Sequence, residues 1–195
     1  MPPTKIDKED ILSTAIYLVR KGGLHGINAR SLAAALSCST KPIFRIYKNM
    51  EALKQDVVDR LNAYYNAFME EKMNNHNRLL TQSIAYIMFA RQEKQIFNTL
   101  FMNKTCQGAR LTDILHADWN QPSIHDAQLV TGLSLEHTQC LFRDVWLYSH
   151  GIATQIVANE IDISDAEVVR LMNNAFRRFA LIMKEDDPWI PPRKQ

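Results

Sequence analysis

Cysteine, glycine and long apolar runs are all scarce in this sequence, and each shortage excludes something. The three cysteines, Cys38, Cys106 and Cys140, lie far apart with no Cys-x-x-Cys pair. That argues against a disulfide framework or a zinc knuckle and fits a reducing, cytoplasmic setting. Six glycines punctuate 195 residues, and no alternating run is long enough for a strand, so the chain reads as all-α. No apolar stretch approaches the roughly 18 residues of a membrane span. The opening "MPPTKIDKEDIL" lacks the basic-then-apolar order of a secretory signal. Catalytic signatures are missing too: there is no GxSxG, no Ser-His-Asp order and no paired-carboxylate motif. The chain is therefore not expected to be an enzyme, and no cofactor is implied.

Negative charge is absent from one particular stretch. Residues 11–50 contain Arg20, Lys21, Arg30, Lys41, Arg45 and Lys48 and no Asp or Glu. Of 23 basic residues that leaves 17 elsewhere, set against all 21 acidic ones. Such asymmetry points to an N-terminal module that meets a polyanion, joined to a larger part that does not.

What is present is helical periodicity with good caps. A first helix follows Asp7, with Asp10 in its first turn and Ile11, Leu12, Ala15, Leu18 and Val19 at helical spacing; Gly22-Gly23 ends it. Asn28 caps a second helix through "ARSLAAAL". Ser37 to Ser39 form a tight turn, and Ser39 is the expected cap of a third helix reaching about Tyr47. Numbered from Ser39, Thr40 is the first helical residue and Pro42 the third. A proline there costs little, because first-turn N–H groups have no intrahelical acceptor. Two short helices across a tight turn, behind a supporting helix, form a helix-turn-helix, whose second helix places its first residues at base edges. Thr40, Lys41 and Pro42 are thus the candidate readers, Pro42 offering an apolar contact to a thymine methyl.

Asn49 caps a long fourth helix with the stripe Leu53, Val57, Leu61, Tyr64 and Phe68. Further helices are expected in "LLTQSIAYIMFARQ" and "KQIFNTLFM", while residues 104–134, broken by Gly108, Pro122 and Gly132, are the least regular. From Leu135 to Ala158 a helix carries two apolar rows, Leu141/Val145/Ile152/Ile156 and Phe142/Trp146/Ala153/Val157. "SDAE", Ser164–Glu167, opens a last helix with Val168, Met172, Ala175, Phe176, Phe179 and Met183 on one face. Covering both helices in so short a chain is difficult. A homodimer is therefore expected through Leu141, Val145, Ile152, Ile156, Met172, Phe176 and Phe179. The expected organisation is residues 1–50 for the DNA-binding module, 51–187 for a regulatory and dimerisation domain, about nine helices in all, and 188–195 as an extended tail.

The run "ILSTAIYLVRKGGLHGINARSLAAALSCSTKPIFRIYKNMEALKQDVVDRL" resembles the DNA-binding region of the tetracycline-repressor (TetR) family. Ile11, Ala15, Leu18, Gly23, Arg30, Leu32-Ala33, Ser39, Ile43-Phe44, Tyr47 and Leu53 carry the likeness. "LFRDVWLYSHGIATQIV" is similar to the Trp, His-Gly segment of one C-terminal domain type of that family, through Trp146, His150 and Gly151. The resemblance implies a homodimeric transcriptional regulator, a repressor released from a palindromic operator by a small molecule. It also implies that Asn28 and Arg30 approach the duplex, that Thr40, Lys41 and Pro42 enter the groove with Ser39 in the same DNA-binding set, and that Lys48 touches a phosphate. Phe44, Ile46 and Met50 stand where many relatives carry phosphate-binding side chains. Phe44 is thus an apolar member of the surface, with Arg45 and Lys48 compensating for the lost contacts. A regulator without a small-molecule inducer, constitutive or tuned by a protein partner, is the alternative.

Aromatic side chains supply the candidate effector pocket. Trp146 and His150 lie one helical turn apart and suit either a ligand wall or a hydrogen-bonded core at the dimer interface. Phe89, Phe97, Phe101 and Trp119 are the other aromatic candidates, divided between core and cavity lining. His137 and Cys140 have metal-compatible spacing but no third ligand, so no metal site is expected.

Overall fold

The computed structural model describes residues 6–73, 76–102 and 110–184. Among these are ten α-helices and no strand, the all-α architecture that the scarcity of glycine and the helical periodicity lead one to expect. They divide between two compact units, the first within Met1–Phe68 and Phe89–Gln107, the second within Met69–Met88 and Gly108–Gln195. The tail at 188–195, Cys106 and Gly108 lie outside the described residues. None of the described helices is long and apolar enough to cross a membrane.

The first unit begins with α1, Lys8–Gly22. The Asp7 carboxylate accepts from the Asp10 N–H at 2.9 Å, and the Asp10 carboxylate accepts from the Asp7 N–H at 3.0 Å. This reciprocal cap satisfies two donors that lack helical partners. Ile11, Leu12, Ala15 and Val19 face inward, and Gly23, at φ 70°, ends the helix in a conformation that a Cβ disfavours. After a single turn at Leu24–Gly26, α2 spans Ala29–Ala35. The Asn28 side chain accepts from the N–H groups of Arg30 and Ser31 at 3.0 and 2.9 Å.

The third helix, α3, spans Lys41–Ile46, one residue later than expected from Ser39. Thr40 occupies the cap position without a side-chain hydrogen bond, Lys41 is the first helical residue and Pro42 the second. The cause lies in how α2 ends. Ser37 adopts φ 52°, so its N–H reaches the Ala34 carbonyl and the Cys38 N–H reaches the Ala33 carbonyl at 2.9 Å. This left-handed closure uses one more residue than a minimal turn and moves the restart of the helix beyond Ser39. Pro42 remains in the first turn, where its missing donor costs little. Asn49 then caps α4, Met50–Lys72, accepting from the Ala52 N–H at 2.9 Å.

The fifth helix, α5, spans Arg78–Gln92. Its start is capped locally by Asn77, which accepts from the Leu80 N–H, and at long range by Asp126, which accepts from the Arg78 N–H at 2.6 Å. A short α6, Lys94–Phe97, packs on α1 and runs into a wider π-turn at Asn98–Met102.

In the second unit, the irregular stretch contains α7, Leu111–His116, a 3-10 turn at Asp118–Asn120, and α8, Gln121–Thr131. Pro122 falls in the first turn of α8, and Gly132, left-handed at φ 70°, closes it. Ser134 caps α9, Leu135–Ala158, and Ser164 caps α10, Asp165–Lys184. These two long helices pack against each other: Val168, Met172, Ala175 and Phe176 of α10 are buried, as are Leu141, Phe142, Val145, Ala153 and Ile156 of α9.

Candidate nucleic-acid interface

Apolar side chains on one side of α3 fix what its other side presents. Ile43 is fully buried and Tyr47, just past the helix end, is buried too. The Tyr47 hydroxyl donates to Asp56 of α4 at 2.7 Å, and Lys8 pairs with the same carboxylate oxygen at 2.7 Å. Hydrogen bonding from Lys8 and then from Tyr47 holds the Asp56 carboxyl below its usual range. Burial, followed by the Asp56 bond, pushes the Tyr47 hydroxyl up. So anchored, α3 presents Lys41, Phe44 and Arg45 to solvent at i, i+3 and i+4, with Lys48 exposed in the link to α4.

Electrostatic pairing separates the six bases of residues 11–50 into different roles. Arg20 is committed within the first unit: its Nε and Nη2 donate to Glu93 at distances down to 2.7 Å. Tyr64 of α4 donates to the same carboxylate at 3.0 Å. The Glu93 contact raises the Arg20 pKa, against a smaller lowering by desolvation. Lys21 sits 5.4 Å from the centre of the Tyr17 ring. Arg45 Nη2 donates to the Ile6 carbonyl at 3.2 Å. Glu9, a nearby acid, is taken up by Arg60 at 2.6 Å. Arg30, Lys41 and Lys48 have no carboxylate partner among the described residues and are exposed. Of the other expected DNA-contacting residues, Asn28 and Ser39 are exposed, while Thr40 and Pro42 are half-buried at the start of α3. Asn28 spends its side-chain oxygen on the cap and keeps its amide donors.

The aromatic effector candidates fall into groups. Phe89 and Phe97 are fully buried in the first unit. They cluster with Phe101 and Tyr65: ring centres lie 5.1 Å apart for Tyr65–Phe89, 4.9 Å for Tyr65–Phe101 and 5.0 Å for Phe97–Phe101. In the second unit Trp146 stacks on His150, rings 5.9 Å apart and tilted by 10°. Tyr86 supplies a hydroxyl 2.9 Å from His150 Nδ1. Trp119 stands apart from these contacts, 79% exposed.

Of the seven expected dimer residues, Leu141, Val145, Ile156, Met172 and Phe176 are buried within the single chain, in the packing of α9 and α10. Ile152 and Phe179 are half-buried. The exposed apolar side chains on these helices are others, Leu147, Leu181 and Ile182 among them. Tyr86, Glu93 and Asp56 were not legible as functional partners, because each meets its neighbour only through tertiary packing.

Burial holds the His150 pKa below 6.5. The unfolded chain therefore binds a proton that the folded chain resists, and folding stability falls as pH drops below about 6.5. A His150→Gln variant should lose part of that acid sensitivity in urea unfolding at pH 7.5 and 5.5. An unchanged difference between the two pH values would remove His150 as its source.

No family model matches the sequence, and no curated protein matches it either. The fold does have solved counterparts. The chain superimposes on a TetR variant from Acinetobacter baumannii AYE in complex with minocycline, with a TM-score of 0.53 at 15% identity. The match covers 93% of this chain and 98% of that one. The likeness establishes an all-α, TetR-like fold.

Proposed function

We propose that the protein is a DNA-binding transcriptional regulator that works in the cytoplasm as a homodimer on a palindromic operator. A small molecule binding the larger domain would release it as a repressor. The observation that carries this reading is the uncompensated cationic edge, Arg30, Lys41 and Lys48, around an anchored α3 in a TetR-like fold. Neutralising phosphates is the sequence-independent term in duplex binding, and bases already paired to carboxylates cannot supply it. Regulation would act by linkage: an effector that prefers the DNA-incompetent dimer lowers operator affinity by its differential affinity for the two states. The solved neighbour's complex with minocycline supports an effector of small-molecule size. Trp146 and His150 of the second unit, neither fully buried, are the members of the aromatic set that would touch one there. A second copy would meet α9 and α10 through Ile152, Phe179 and the exposed Leu147, Leu181 and Ile182.

The test is duplex binding across a salt series. The double variant Lys41→Ala/Lys48→Ala should flatten the plot of log affinity against log salt by about 1.8 for each recognition helix engaged. A dimer on paired half-sites would show about twice that. An unchanged slope would defeat the assignment of this edge to DNA.

A further inference from the structure

The chemistry missing from the recognition edge says which bases it can read. Between Ala29 and Lys48 there is no Asp, Glu, Asn or Gln. Adenine is read in the major groove by a carboxamide and cytosine by a carboxylate; α3 carries neither, and Asn28 spends on the α2 cap the acceptor oxygen that a bidentate contact to adenine needs. What the edge does offer is Lys41 and Arg45, donors suited to guanine O6 and N7, beside the apolar surfaces of Pro42 and Phe44. Phe44 is the unusual member. Its ring is 47% exposed on the same face of α3 as two cations, and it makes no ring contact with another described residue. It has no hydroxyl to give a phosphate, so in a complex with DNA its ring is desolvated best against an apolar group. Among the base edges of the major groove that group is the thymine C5-methyl.

We infer that Phe44 is a specificity-determining residue that reads a pyrimidine C5-methyl, so that the preferred half-site combines guanine with thymine. The inference rests on the DNA-binding reading above and says which sequences that surface selects. Burying one methyl against the ring should change affinity about fourfold. With no carboxylate for cytosine and no free acceptor oxygen for bidentate reading of adenine, removing that methyl is not offset by such a contact elsewhere on the edge.

The experiment enriches duplexes from a random pool with the full-length protein. The selected duplex is then prepared with thymine or with deoxyuridine, which lacks only the C5-methyl. Wild-type protein should bind the thymine form about fourfold more tightly per half-site. Phe44→Ala, a change at an exposed position, should keep the folded state and the salt slope yet bind both forms equally. Equal affinity of the wild type for the two forms would overturn the inference. So would a Phe44→Ala variant that still prefers thymine, since the methyl would then be read by Pro42 or Thr40. Failure to enrich any sequence, with no salt-dependent binding, would overturn the DNA-binding reading and the inference together.

Discussion

Replacing Phe89 by alanine is expected to destabilise the protein by about 3–5 kcal/mol, the range for deleting a fully buried aromatic ring. Phe89 has 0% exposure. Three rings of α4 surround it: Tyr65 and Phe68 meet it edge-on, with centres 5.1 and 5.2 Å away, and Tyr64 lies tilted at 6.0 Å. Edge-to-face pairs add to area burial, and rings on a continuous helix cannot close over the gap without moving the helix. For a chain of this size the melting midpoint should fall by roughly 6–20 °C. The measurement is thermal unfolding of the two proteins at one pH and one concentration. A fall of less than about 2 °C would place Phe89 on the wall of a compliant cavity instead of in packed core.

The second large effect is expected at Glu93. Its side chain is 14% exposed and accepts from Arg20 Nε, Arg20 Nη2 and the Tyr64 hydroxyl. One carboxylate thus joins the end of α1, the middle of α4 and the start of α6. Glu93→Ala strands all three donor groups, but the Arg20 side chain is 46% exposed and can turn toward water. The cost therefore falls between that of a surface pair and that of a buried one, about 2 kcal/mol. Because the residues act as a unit, Arg20→Gln and Glu93→Ala should be non-additive by at least about 0.5 kcal/mol in a double-mutant cycle of urea unfolding. Additive effects would show that the contact contributes nothing to stability. The same pairing makes a functional distinction: Arg20→Gln should leave the salt dependence of duplex binding unchanged, although Arg20 belongs to the same acid-free stretch as Lys41. A flattened slope for Arg20→Gln would mean that DNA takes the guanidinium from Glu93.

Local chemistry was legible residue by residue. Asp7, Asn28, Asn49 and Ser164 accept from N–H groups two or three residues ahead, so each cap could be read from a few neighbouring letters. The bounds of α9, Leu135–Ala158, followed from its two apolar rows at helical spacing. The start of α3 was misplaced by one residue because Ser37 entered a left-handed conformation that its side chain does not announce. Pro42 nevertheless marked the first turn, since only there is a missing N–H inexpensive.

Pairings between distant residues, and the burial that follows from them, were decided by tertiary structure. Arg20 and Glu93 are 73 residues apart and Tyr86 and His150 are 64 apart, and no local pattern marks either pair. The two apolar rows of α9 implied that the helix is covered on both sides, with a second copy as the expected cover. Packing against α10 and the rest of its own unit buries most of both rows within one chain. Trp119 is the converse: a large apolar side chain in the sequence, left 79% exposed by the turn that carries it. Hydrogen-bond caps and helical faces depend on the few residues within one turn, so the sequence by itself determined them. Which charges are neutralised, which rings are enclosed and which cations remain free for a polyanion depend on chain segments brought together by folding, and only the tertiary structure decided those.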